Sequence, residues 1–144
     1  MNTITKIKTV VLLIILIWLT VLISLKVPTS SPESKAVQFV KVNGLAVSEL
    51  VNSNQPIPEI IDGIKVDVWG GEHTMYEFCL GTGVGNTQYW GVYYSPDDVP
   101  LAYQNTDVSL IANNKGSWTW QAEGDNYGTT KKIIEKWYYF EASF

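Results

Sequence analysis

Few residues in this chain are of types that carry reaction chemistry. Cys79 and His73, its single cysteine and single histidine, are the sole candidates for a thiolate–imidazole pair. A nucleophilic cysteine needs a neighbouring base and a partly exposed, electropositive setting. Cys79 instead follows Glu77 in the alternating run Tyr76-Glu77-Phe78-Cys79-Leu80, where a carboxylate raises the thiol pKa. It reads as a small packed strand residue. His73 falls in Gly70-Gly71-Glu72-His73-Thr74, a solvated loop, and one histidine beside one acid is not a metal set. A single cysteine also rules out a disulfide framework and a cysteine-based zinc site. No metal or other cofactor is expected, and no residue is assigned as catalytic.

Paired acids are the next candidates, because two carboxylates suffice for glycoside hydrolysis. The pairs are Asp97-Asp98 and Glu123/Asp125. Both stand in strongly turn-forming contexts, where aspartate caps backbone amides without doing chemistry. Neither shows the regular oxygen-ligand spacing of an EF-hand. Gly81-Thr82-Gly83-Val84-Gly85-Asn86 resembles a phosphate loop only superficially. The dinucleotide pattern wants glycine where Asn86 stands and a helix afterwards, whereas Tyr89 to Tyr94 reads as a strand. A flexible hairpin loop is the better account.

Aromatic residues carry the strongest functional signal. From residue 37 onward there are seventeen of them in 108 positions. Tyr76, Phe78, Trp90, Tyr94, Trp118, Trp120, Tyr138, Phe140 and Phe144 share a strand phase and suit a core face. Trp69, Tyr89, Tyr93, Trp137 and Tyr139 fall on the opposite phase. If that second face is uncovered, these five form a ligand-binding platform for a glycan or a protein partner. If it is covered by a second sheet or by the 37–61 segment, they are core.

The elements that must hold these residues are mostly strands. Period-two alternation recurs at Ile64/Val66/Val68, Tyr76/Phe78/Leu80, Trp90/Val92/Tyr94, Val108/Leu110/Ala112, Trp118/Trp120/Ala122 and Trp137 to Phe144. Glycine, asparagine and aspartate clusters separate them at 70–71, 81–86, 95–98, 113–116 and 123–126. The pattern predicts a mainly β fold, a single antiparallel β-sandwich or barrel-like domain behind an N-terminal transmembrane helix. Helix content should be low, with Leu45 to Val51 the best candidate, and 55–61 should be an edge or extended connector.

Residues 9–25 form an uncharged run of seventeen residues without Pro or Gly. As a helix it spans about 25 Å, close to a hydrocarbon core, with Lys6, Lys8 and Lys26 placed to reach headgroups. It reads as a transmembrane signal anchor behind a short cytoplasmic tail (1–8), since the nearest cleavage-like pattern, Ser34-Lys35-Ala36, lies far downstream. A Pro/Ser linker (26–36) and a compact extracytoplasmic β-rich domain (37–144) should follow. The cell membrane, crossed once, is the expected location, and the missing N-x-S/T sequons and missing arginine point to a bacterial source.

Charge narrows the partners. All ten basic residues are lysine, and the formal net charge is -4. Without arginine forks or a basic balance, nucleic acid is not an expected partner. From 42 to 114 nine acids face one lysine, which reads as ordinary solubilising charge. Together these features point to a non-enzymatic binding or interaction module held at the membrane by residues 9–25. The alternatives are a small surface hydrolase using a carboxylate pair and an accessory subunit of a membrane complex.

Overall fold

A computed structural model of the protein describes residues 30–144 apart from positions 84 and 86. The tail and apolar run through residue 25, with the first part of the linker, lie outside the described residues. Among the described residues, no helix is long and apolar enough to cross a membrane.

The domain opens with a helix, α1 (Pro32–Asn52), three times longer than the segment expected to be helical. Its start lies inside the stretch that composition marks as extended linker, and the physical reason is capping. Ser31 accepts a hydrogen bond from the Ser34 N–H at 3.2 Å, Pro32 fills the first turn, and Glu33 sits where the helix dipole favours an acid. The buried positions Ala36, Phe39, Val40, Gly44 and Val47 then recur at helical spacing along one face.

Eight strands follow: β1 (Ile60–Ile61), β2 (Ile64–Trp69), β3 (Met75–Thr82), β4 (Gln88–Tyr94), β5 (Ile111–Asn113), β6 (Ser117–Gln121), β7 (Tyr127–Ile134) and β8 (Trp137–Ser143). They make one antiparallel sheet in the order β1-β2-β3-β4-β8-β7-β6-β5. The sheet is open, neither a sandwich of two sheets nor a closed barrel. Two meanders meet where β4 pairs with β8, and the long connection between them, 95–110, carries a 3-10 turn at Tyr103–Asn105. Val108 and Leu110 belong to this connection rather than to β5.

Cross-strand partners share a face, so register decides what each aromatic touches. Tyr76, Tyr94 and Trp137 form one row, and Phe78, Val92 and Tyr139 the next. Both pack against Phe39, Val40 and Val47 of α1, with Phe39 and Phe78 ring centroids 5.1 Å apart. The opposite face gathers Met75, Tyr93, Trp120, Tyr138, Phe140 and Ala142 under Leu101, Ala102 and Tyr103. Tyr93 stacks on Tyr138 at 5.1 Å and accepts the Leu101 N–H at 2.8 Å, which pins the connection to the sheet. A helix covers one side and an irregular strap the other.

Candidate functional site

Several of the residues singled out for chemistry have structural partners. Asp97 pairs with His73 Nδ1 at 2.9 Å on the surface. Asp98 accepts from Lys132 Nζ (2.6 Å), the Lys136 N–H (2.7 Å) and the Tyr138 hydroxyl (3.0 Å). The Lys132 bond is the main reason its carboxyl is held below the usual range. These bonds fasten the 95–98 turn to the β7–β8 hairpin. Glu123 and Asp125 are exposed in the β6–β7 hairpin, around Gly124 with φ of 75°. Burial, with Glu77 and Asp67 adding to it, pushes the Cys79 thiol up, away from a nucleophile's range. The glycine-rich loop joins β3 to β4, with the Gly83 N–H donating to the Gln88 carbonyl at 2.8 Å, as a hairpin requires. Among the described residues, no three His, Cys, Asp or Glu side chains gather to hold a metal ion.

The five-residue platform is not an exposed face. Tyr93, Trp137 and Tyr139 are 0%, 1% and 5% exposed. Trp137 and Tyr139 lie under α1, whereas Tyr93 lies under the strap on the other side of the sheet. Trp69 is half-buried against that second core. Phase within each strand is as the alternation implies, but β4 and β8 join in a register that sets Tyr94 opposite Trp137 and Tyr93 opposite Tyr138. One phase label therefore spans both faces. Tyr89, the fifth residue, stacks on Tyr103 with centroids 5.8 Å apart and reaches the rim of the groove described next.

That groove is where the sheet outruns its helix. Beyond the row Val92–Tyr139 the α1 face continues with two more rows: Trp90, Glu141 and Thr129, then Gln88, Ser143 and Tyr127. Helix α1 begins at Pro32, on the rim, so among the described residues these rows stay open and line a groove of about 380 Å³ together with Thr82, Gly83 and Gly128. Trp90 is fixed against the backbone of Gly81, where an added Cβ would stand 2.5 Å from the indole ring. Lys35 Nζ stands over the ring, 5.8 Å from its centroid. Glu141 accepts a hydrogen bond from the Tyr139 hydroxyl, whose pKa is raised by burial and by that carboxylate. Lys131 and Glu33 form an ion pair linking β7 to the first turn of α1.

The groove offers an aromatic face, a second and exposed tyrosine, an amide, hydroxyls and one carboxylate. That set recognises a ligand having both apolar faces and hydrogen-bonding edges. A glycosidase would need a second carboxylate placed to cooperate with the first. Among the described residues, Glu141 is the only acid lining the groove, and the nearby Glu33 is engaged by Lys131.

Sequence reading placed Trp90 in a core-facing set and passed over Gln88, Tyr127, Thr129, Glu141 and Ser143. Strand β7 hid Tyr127 and Thr129, because Tyr127-Gly128-Thr129-Thr130-Lys131-Lys132 has no apolar alternation. The available signal was Gly128, where an added Cβ would meet the Trp120 ring at 2.4 Å: glycine opposite a tryptophan marks a strand under a ring. Comparisons with protein-family models, curated proteins and solved structures find no match to the chain.

Proposed function

We propose that the chain is a membrane-tethered binding module, anchored by residues 9–25 with its domain outside the cytoplasm, which takes a glycan or a protein partner without chemical turnover. The observation that carries this reading is the pair of sheet rows left open past the start of α1. They combine Trp90 and Tyr127 with Gln88, Thr129, Glu141 and Ser143 in one groove. Aromatic side chains supply flat contact area at low entropic cost, and the polar set between them supplies orientation. With α1 starting at Pro32, the tether shortens to residues 26–31, about 20 Å when extended.

An accessory subunit of a membrane complex is the second reading. It is favoured by α1's outer face, where Val42 and Leu45 are 61% and 74% exposed.

The test uses the full chain with a C-terminal tag in a bacterial host. The tag is expected in the membrane fraction and accessible to protease added outside the cytoplasmic membrane. Purified chain should retain cell-envelope fragments, Trp90→Ala should release them, and no soluble fragment should appear with time. A cytoplasmic tag overturns the tether, and steady product release that stops in Glu141→Gln favours the hydrolase. Retention lost in Leu45→Ser but kept in Trp90→Ala favours the accessory subunit.

A further inference from the structure

We propose that the groove binds a neutral oligosaccharide of about three linked rings, lying diagonally from Trp90 to Tyr127. The proposal rests on the reading of this groove as the ligand site and names what fills it. Trp90 is on β4 and Tyr127 on β7, with β8 between them. Two strand spacings of about 4.8 Å and one row of about 6.8 Å put their backbones about 12 Å apart. That is too wide for one ring to touch both side chains, and it suits a short chain of rings. The diagonal crosses Glu141 and Ser143 of β8 and passes beside Thr129, so acceptors and hydroxyls face the middle of the ligand. Trp90 is already immobilised against Gly81, and stacking a ring on it costs little order. Lys35 is exposed, and stacking on that face of the indole requires it to leave the ring.

Charge and backbone pairing separate a sugar from other occupants. Around the groove Lys35 and Lys131 balance Glu33 and Glu141, within a domain where seven lysines face fourteen acids from residue 31 onward. The groove is a locally neutral part of an acidic surface, so it selects neither a polycation nor a polyanion. It also lies over β4, β8 and β7, all paired on both sides. An extended peptide recognised through its main chain needs a free sheet edge, and β4, β8 and β7 offer none beneath the diagonal. A polyhydroxyl chain needs none.

The experiment titrates the full chain, in micelles of a detergent without a sugar headgroup, with β-1,4-linked glucose and N-acetylglucosamine oligomers of one to six units. Tryptophan fluorescence and heat are both followed. Affinity should rise at least about tenfold from one ring to three in one of the series and then level off. Tyr127→Ala, at a position 52% exposed, should remove that gain, so that affinity no longer rises with chain length. Trp90→Ala should abolish binding, and Trp90→Phe should restore part of it should the alanine variant prove unstable. Equal affinity for one ring and three, or no binding by either series at millimolar concentration, overturns the proposal. If Trp90-dependent retention of an envelope protein accompanies that failure, the binding-module reading survives and the saccharide falls. If nothing is retained through Trp90, both fall.

Discussion

Glu77 is the most constrained charged residue in the domain. It lies between Asp67 on β2 and Tyr93 on β4, is 2% exposed, and accepts the Gln104 N–H from the strap at 3.1 Å. Burial pushes its carboxyl up to about 7 from an ordinary 4.5. A raised folded-state pKa means that the folded chain holds the proton more tightly than the unfolded one. The stability it contributes is complete below pH 4.5 and is lost as pH rises to about 7. The loss is at most about 3 to 4 kcal/mol at about 1.4 kcal/mol per unit. Glu77→Gln keeps an acceptor for Gln104 and carries no charge, so it should flatten that slope and exceed the parent in stability at pH 8. Urea midpoints measured from pH 4.5 to 8.5 decide it, and parallel curves for the two proteins would refute the assignment. Asp98 makes the complementary case, with a carboxyl held low and three described partners. Asp98→Ala should cost roughly 2 kcal/mol, and Asp97→Ala, at an exposed ion pair, less than about 1. Equal losses in denaturant melts would contradict the fastening role of the 95–98 turn. At this scale the sequence was informative: Glu77 two residues before Cys79 signalled a thiol pKa pushed up, and the turn-forming context of Asp97-Asp98 signalled residues bonded within the fold.

Among the elements, strands were legible and the helix was not, for different reasons. Alternation marks β2, β3, β4, β6 and β8 because each has side chains packed on at least one face. Strand β7 escapes it, since glycine, threonine and lysine there serve a ring on one side and the groove on the other. Helix α1 carries its own start signal in Ser31-Pro32-Glu33, but the same residues raise the Pro/Ser count that reads as linker. Composition and capping gave opposite answers over five residues, and the buried stripe from Ala36 to Val47 decided for the helix. The energetics follow that stripe. Phe39 fills the space over Phe78, whereas Leu45 faces outward. Phe39→Ala should therefore lower stability by about 3 to 5 kcal/mol, and Leu45→Ala by less than about 0.5. Chemical denaturation of both variants tests whether α1 is part of the core, and a small effect at Phe39 would mean that the sheet face stands without it.

For the molecule as a whole, period-two patterning establishes an antiparallel sheet but leaves open what covers each side. That depends on the register between β4 and β8, and the long 95–110 connection leaves that register free in the sequence. The candidate site was hidden for the same reason, because an open row is defined by where the helix ends over the sheet. Net charge offers a last discriminator. The domain carries twice as many acids as lysines, so a cationic partner would be drawn to it by long-range attraction, whereas a neutral chain of sugar rings in a charge-balanced groove would not. Raising salt from about 0.1 to 1 M shortens the screening length from about 10 to about 3 Å. Stacking and short hydrogen bonds act well inside even the shorter length. Affinity for the best oligosaccharide should therefore change less than about twofold over that range, read by tryptophan fluorescence at constant pH. A steep loss of affinity with salt would instead place the recognised surface on the acidic strands outside the groove, and the occupant would then be a polycation.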